Sequence, residues 1–115
     1  MPKTSYKVSE KDLQSAVIGA AQTLGWKVAH FRSVRTQRPD GTVRYLTPVQ
    51  ADGGGFPDLC MVRGGRIIFA ELKSATGVVE AAQERWLDEL ALTPAETYVW
   101  RPAAWFGGEI ERILL

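Results

Sequence analysis

The spacing of apolar residues near the start of the chain predicts an amphipathic helix. After Ser9, apolar positions recur every three or four residues as far as Gly25, as one buried helix face requires: Leu13, Val17, Ala21 and Leu24. Ser9 is a residue type that favours the N-cap, and Gly25 is one that favours the position after a last turn. The pattern therefore predicts a first helix over about residues 10–24, preceded by a flexible leader over 1–8.

Two apolar runs on either side of Gly64 and Gly65 predict a β-hairpin. Both runs are rich in β-forming residues, and a Gly-Gly pair suits a tight two-residue turn. With these glycines as the turn, the strand register sets Asp58 directly opposite Glu71. Both faces of the hairpin are apolar, which favours central strands that are covered on both sides, as in an α/β sandwich.

The rest of the chain predicts further strands and helices. In chain order these are a strand over 26–31, two strands of a basic hairpin over 32–37 and 42–48, a helix over about 79–91, a strand over 97–101, a helical turn near 102–106 and a tail helix over 108–115. Together with the first helix and the central hairpin they predict one α/β domain that spans residues 1–115.

The open end of the predicted central hairpin gathers charged side chains. Asp58 faces Glu71, and Glu71 shares a strand face with Lys73 because side chains alternate along a strand. Two carboxylates this close repel each other unless one is protonated or a cation lies between them. Hard oxygen ligands with room for water suit Mg²⁺ or Mn²⁺. The pattern therefore predicts a metal site.

Residues 33–54 form a long, weakly patterned stretch that is rich in arginine. A turn centred on Asp40 divides this stretch into the two arms of the basic hairpin. Guanidinium groups suit contacts with phosphate, so we expect DNA contacts from four residues: Arg32, Arg35, Arg38 and Arg44. The alternative is a solvated loop whose charges only aid solubility.

Composition narrows the class of protein. Apolar residues make up 45% of the chain and charged residues 23%, which is typical of a globular domain. A single cysteine excludes an internal disulfide and a cysteine-based zinc site. The sequence has no apolar stretch long enough to span a membrane and no signal peptide. We therefore expect a cytoplasmic protein, in the host-cell cytoplasm if a phage encodes it.

Charge is distributed unevenly along the chain. Residues 1–50 contain eight Lys or Arg against three Asp or Glu, whereas residues 51–115 contain six against ten. A basic first half beside an acidic site would fit an enzyme that binds a polyanion and cleaves it with metal ions. The net charge is only +1, so an ordinary solvated surface is the alternative.

The acidic motif resembles that of a known group of nucleases. Pro57-Asp58 followed by Glu71-x-Lys73 resembles the active-site pattern of the PD-(D/E)XK nuclease superfamily. The longer form, residues 55–59 (GFPDL) with Gln83 on a following helix, resembles the VRR-NUC (virus-type replication-repair nuclease) family over about residues 9–102. The resemblance implies a restriction-endonuclease-like α-β-β-β-α-β core, in which a mixed sheet is flanked by helices.

The resemblance also implies roles for the residues of the motif. Asp58 and Glu71 would hold Mg²⁺, with Mn²⁺ able to substitute, together with the backbone carbonyl of Leu72. Lys73 would orient or help to deprotonate the attacking water and would offset the developing negative charge. The site would then hydrolyse a phosphodiester bond without a covalent enzyme intermediate.

Two residues outside the hairpin complete the implied site. A glutamine on the second helix belongs to the motif of the family, and Gln83 matches it. An acidic residue on the first helix often joins the metal site in families of this kind, and Glu10 lies in a similar place. The alternatives are a surface glutamine and a carboxylate that only favours the helix dipole.

These features imply a metal-dependent DNA endonuclease. The smallest members of the family resemble Holliday-junction resolvases, so we expect a structure-selective enzyme of DNA repair that acts on branched DNA. A small domain with one site would need to form a homodimer to cut a four-way junction symmetrically. Two alternatives remain open, namely a restriction-like or nonspecific DNA nuclease and a non-catalytic DNA-binding module. The intact set of Asp58, Glu71 and Lys73 argues against the non-catalytic module.

Overall fold

Within residues 7–31, 34–46 and 49–115, which the computed structural model describes, six strands and four helices are formed. In chain order they are α1 (Glu10–Thr23), β1 (Lys27–His30), β2 (Val34–Gln37), β3 (Val43–Leu46), β4 (Leu59–Arg63), β5 (Arg66–Leu72), α2 (Ala81–Ala91), β6 (Glu96–Trp100), α3 (Pro102–Phe106) and α4 (Glu109–Leu114). Most of the predicted leader lies outside the described residues. No helix among the described residues is long and apolar enough to cross a membrane.

The centre of the structure is a four-stranded mixed sheet in the order β1-β4-β5-β6. β1, β4 and β5 are antiparallel neighbours, whereas β6 runs parallel to β5. Helix α2 makes the crossover between these two parallel strands, and a parallel pair requires such a connection. The predicted α/β class, with a mixed sheet flanked by helices, is confirmed.

The central hairpin of β4 and β5 has the predicted turn and register. Gly64 and Gly65 have φ angles of 54° and 83°, and two positive φ angles are what a type I′ hairpin turn needs. The ladder ends at Leu59 paired with Ala70, one residue short of the predicted opposition of Asp58 and Glu71. Asp58 instead precedes β4.

One face of the sheet carries the hydrophobic core. Helices α1 and α4 supply part of it, and the sheet with its flanking tryptophans supplies the rest. All of the core residues expose 3% of their surface or less: Leu13, Val17, Ala21, Trp26, Leu59, Met61, Ile68, Ala70, Leu72, Trp100, Ile110 and Leu114. The alternation of β5 sends Ile68, Ala70 and Leu72 into this core, so the residues between them face the other side of the sheet.

The opposite face of the sheet is covered only in part, by α2 and an aromatic cluster. The ring of Phe56 makes edge-to-face contacts with three other rings at centroid distances of 5.0–5.8 Å: Phe31, Phe69 and Trp86. No residue of α2 is fully buried, and Trp86 is the residue of this helix that belongs to the aromatic cluster.

Several predicted boundaries differ from the structure by one or two residues. Helix α2 begins at Ala81 rather than near 79, because Glu80 occupies the N-cap. The basic hairpin is confirmed over β2 and β3, which form a separate two-stranded sheet. Its tip is closed by Asp40, whose Oδ1 accepts hydrogen bonds from the backbone and hydroxyl of Thr42 at 2.9 and 2.7 Å.

Candidate active site

The site is built at the open end of the central hairpin. The backbone of Asp58 extends the pairing of β4 with β1, because its carbonyl accepts a hydrogen bond from the Phe31 N–H at 3.0 Å. Its carboxylate turns across the hairpin, and Oδ2 accepts a hydrogen bond from the Leu72 N–H at 2.8 Å. The aspartate side chain therefore serves as a strand partner for β5 and is fixed beside Glu71.

Glu71 is the most deeply buried charged residue of the described chain, with 1% of its surface exposed. Strand alternation places it on the face opposite the core, and α2 covers it there. Its Oε1 accepts a hydrogen bond from Gln83 Nε2 at 3.0 Å, whereas no described group donates to the buried Oε2. A buried carboxylate oxygen without a donor is costly, which indicates that a proton or a cation belongs there.

The surroundings of Glu71 favour its neutral form. Burial contributes most, followed by the negative charge of the neighbouring Asp58 carboxylate, and together they raise the pKa of Glu71 to about 9. The Lys73 charge lowers this pKa by less than those effects raise it. These surroundings therefore favour the protonated form of Glu71 in the metal-free protein.

Lys73 enters the site from the end of the strand. Its side chain is 10% exposed, and its Nζ lies 3.9 Å from Glu71 Oε1, which is longer than a hydrogen bond. The backbone N–H of Lys73 donates to the Trp100 carbonyl at 3.0 Å, which continues the pairing of β5 with β6. The ammonium therefore lies near Glu71 but does not form a short ion pair with it.

Arg101 anchors the loop that follows Lys73, a role that no sequence pattern indicates. Its Nη1 donates to the carbonyls of Ser74 and Gly77, both at 2.7 Å. A Cβ built at Gly77 would lie 3.5 Å from Lys73 Cδ, so the loop folds back against the lysine stem. These contacts join residues 24 and 27 positions apart, which is why local sequence patterns do not reveal them.

Gln83 links the site to the start of α2. Its Oε1 accepts a hydrogen bond from the Glu80 N–H at 2.8 Å, while its Nε2 donates to Glu71. The two contacts fix the orientation of the amide, because only the oxygen can accept and only the nitrogen can donate. The structure thus places Gln83 beside Glu71, where the resemblance led us to expect it.

Glu10 lies at the rim of the site. It is the exposed first residue of α1, and its charge makes the smallest of the contributions that raise the pKa of Glu71. Among the arginines expected to contact DNA, Arg38 and Arg44 are exposed on the basic hairpin. Arg32 lies outside the described residues, and for Arg35 only the backbone position, in β2, is described.

The donor set for a metal ion is small. Among the described residues, no group of three or more His, Cys, Asp and Glu side chains is arranged to hold a metal. The pair of Asp58 and Glu71 nevertheless has the chemistry of a hard-cation site, with two carboxyl groups in contact and one buried oxygen without a donor. A cation at this pair would compete with protonation of Glu71.

Comparisons with protein-family models, with curated proteins and with solved structures found no match for this chain. The resemblance to VRR-NUC nucleases therefore depends on the motif residues themselves. Of these residues, Asp58, Glu71, Lys73 and Gln83 lie together in the structure, around one carboxyl pair.

Proposed function

We propose that the protein is a metal-dependent DNA endonuclease of the VRR-NUC type, with a restriction-endonuclease-like core. The observation that carries the proposal is the buried Glu71 carboxyl beside Asp58, with Oε2 lacking a donor and Lys73 Nζ 3.9 Å from Oε1. A protein gains no stability from burying an acid beside a second acid, so the arrangement indicates function. The sheet and helix order α1-β1-β4-β5-α2-β6, with β2 and β3 inserted, is compatible with the proposed core.

In this proposal Asp58 and Glu71 hold Mg²⁺, or Mn²⁺ in its place, together with the Leu72 carbonyl. A divalent ion at this position supplies an activated water and charge stabilisation at phosphorus. Glu71 has to be ionised to hold the ion, so metal binding competes with protonation of Glu71. Gln83 keeps Glu71 Oε1 in place through the hydrogen bond from its Nε2.

Lys73 is the residue that acts on the substrate in this proposal. Its ammonium orients the attacking water and offsets the negative charge that develops on the transferring phosphoryl group. It can do so because it is near Glu71 without a short ion pair, and because the Arg101-anchored loop limits the motion of its stem. Glu10, at the start of α1, takes part at the outer rim of the cation site.

The proposed substrate is DNA, with branched DNA such as a four-way junction as the preferred form. The exposed Arg38 and Arg44 of the basic hairpin are proposed to contact its phosphates, together with Arg32 and Arg35. One chain carries one such site, so paired cuts across a junction require a homodimer.

A cleavage assay tests the proposal. An end-labelled four-way junction and a matched linear duplex are incubated with the protein in Mg²⁺, in Mn²⁺ and in chelator. We expect metal-dependent paired cuts in the junction, and a loss of at least about a hundredfold in rate for Lys73→Ala. Lys27→Ala is the matched control, because Lys27 is an exposed lysine on β1.

The outcomes separate the competing functions. Equal cutting of both substrates indicates a restriction-like or nonspecific nuclease. Tight DNA binding without cutting in either metal indicates a non-catalytic DNA-binding module. Unchanged turnover of Lys73→Ala would remove that lysine from the mechanism.

A further inference from the structure

A pocket lies between the glycine-rich loop before β4 and helix α2. Its volume is about 430 Å³, within the range of small-molecule sites in proteins. One wall is the loop, with Asp52 and Gly54. The other wall is one face of α2, where residues three or four apart point the same way: Ala82, Arg85, Trp86 and Glu89.

Close contacts between the loop and the helix fix the shape of this pocket. A Cβ built at Gly55 would lie 2.6 Å from the carbonyl carbon of Ala82, so only glycine allows the loop to approach so closely. Trp86 Nε1 donates to the Asp52 carbonyl at 3.0 Å, which ties the indole to the opposite wall. Ala51 holds a φ of 59°, an uncommon conformation for a non-glycine residue that also belongs to this loop. The pocket is therefore formed before any ligand binds.

The side chains of the pocket suit a flat aromatic ligand with N–H donors. The half-buried indole of Trp86 offers an aromatic surface. The carboxylates of Asp52 and Glu89 at the rim can accept hydrogen bonds from ring N–H and amino groups. Arg85, exposed on the same helix face, supplies a cation for a phosphate attached to such a ring. A nucleobase with its sugar phosphate has all of these features.

The pocket and the carboxyl site share the same structural elements. Ala82 lines the pocket, and its neighbour Gln83 holds Glu71. Phe56 contacts the Trp86 ring at 5.0 Å and lies two residues before Asp58. A nucleic-acid strand whose phosphate lies at the carboxyl site would therefore pass within reach of the pocket.

We propose that this pocket binds an unpaired base of the strand that enters the Asp58–Glu71 site. The base stacks on Trp86, and its amino group donates a hydrogen bond to a carboxylate at the rim of the pocket. Guanine is the preferred base, because its N1–H and amino group together match one carboxylate, whereas thymine has no amino group. This inference depends on the proposed function for its substrate, and it adds selectivity for DNA with an unpaired nucleotide.

A binding experiment tests the pocket separately from cleavage. The probes are two fluorescein-labelled hairpin duplexes, one with a single unpaired guanosine and one with an abasic site at that position. Fluorescence anisotropy is measured in Ca²⁺, so that binding is observed without Mg²⁺-dependent cutting. We expect the protein to bind the guanosine probe about tenfold more tightly than the abasic probe, which is a typical effect of one stacked base.

Two glycine variants test whether the preference for the guanosine probe depends on this pocket. Gly54→Leu fills the pocket, and a Cβ at Gly54 meets no atom within 4 Å, so the variant is not strained by a clash. Gly19→Leu is the matched control, because a Cβ at this exposed position on α1 also meets no atom within 4 Å. We expect Gly54→Leu to bind both probes equally and Gly19→Leu to keep the preference, with unchanged circular dichroism in both.

The results distinguish a failure of this inference from a failure of the proposed function. Equal binding of the two probes by the unmodified protein, or an unchanged preference in Gly54→Leu, would overturn the pocket assignment. Cleavage by the unmodified protein in Mg²⁺ is scored separately on the four-way junction, in which every base is paired. Cutting without a preference for the guanosine probe would support the nuclease proposal and contradict the base-binding pocket. A preference for the guanosine probe without cutting would support the pocket and contradict the nuclease.

Discussion

At the scale of single residues, Glu71 has the most unusual environment of the charged side chains, because it is buried beside a second acid. Buried acids lie in apolar surroundings at a cost in free energy, unless they are neutral or paired. Glu71 meets Asp58 on one side, while Gln83 satisfies only one of its oxygens. The protonated form that these surroundings favour lowers the cost of burying Glu71 in the metal-free protein, and a metal ion at this site would compete with that proton.

The raised pKa of Glu71 predicts how stability depends on pH without metal. Its pKa is about 9 in the folded protein against 4.5 for the ordinary group, so between these values the folded state binds a proton that the unfolded state has lost. The stability contribution is thus complete below about pH 4.5 and is lost as the pH rises towards 9, with a slope of at most about 1.4 kcal/mol per pH unit. Urea unfolding in chelator at several pH values measures it.

The control for this pH effect is Glu71→Gln, which keeps the shape of the side chain and does not titrate. We expect the free energy of unfolding of this variant to depend less on pH than that of the unmodified protein. If both proteins show the same slope between pH 5 and 8, Glu71 is not the group responsible.

Asp58→Asn tests the other half of the carboxyl pair. An asparagine oxygen can still accept the hydrogen bond from the Leu72 N–H, so the hairpin should remain folded. The loss of one negative ligand should weaken Mg²⁺ binding by at least about tenfold, as measured by calorimetry. Asp88→Asn, on the exposed surface of α2, is the control and should bind Mg²⁺ normally. An unaltered isotherm for Asp58→Asn would argue against a metal site at the pair.

At the scale of elements, the loop before β4 requires a glycine where it contacts α2. Gly55 has a φ of 85°, and a Cβ there would lie 2.6 Å from the Ala82 backbone. Gly55→Ala should therefore destabilise the protein by more than about 2 kcal/mol, from backbone strain and from the displaced helix. Gly54→Ala, which has open space, should change stability by less than about 0.5 kcal/mol. Urea denaturation compares the two, and equal effects would mean that the contact with α2 is not tight.

The sequence predicted the elements whose determinants are local. The central hairpin follows from Gly64 and Gly65 between two β-forming runs, and α1 follows from Ser9 and its helical period. The sequence predicted that α2 starts near residue 79, where Val79 offers no capping side chain. In the structure Glu80 is the N-cap, and its N–H donates a hydrogen bond to the side chain of Gln83.

The details of the site depend on contacts that the sequence does not encode locally. Strand alternation alone predicts that the side chains of Glu71 and Lys73 lie on the same face, and in the structure Lys73 Nζ lies 3.9 Å from Glu71 Oε1. The bond from the Leu72 N–H to Asp58 depends on where β4 begins, and the role of Arg101 depends on β6 lying beside β5. Long-range packing therefore decides which predicted residues become neighbours.

At the scale of the whole molecule, Arg63 joins three distant parts of the chain. From the end of β4, its guanidinium donates to the carbonyls of Leu24, Leu114 and Leu115 at 2.8–3.0 Å. It also lies over the Trp26 ring at 4.8 Å. One side chain therefore connects the end of α1, the central hairpin and the last helix around the core.

Arg63→Ala should consequently destabilise the whole fold. The substitution leaves three carbonyls without this donor and removes a cation from the Trp26 ring, so we expect a loss of about 2 kcal/mol in the free energy of unfolding. Arg66→Ala is the matched control. Arg66 lies over the same ring at 4.9 Å, but its ion pair with Glu96 is partly exposed and should contribute less than about 1 kcal/mol. Equal losses in urea denaturation would mean that stacking on Trp26, rather than the bonds to the three carbonyls, is what Arg63 contributes.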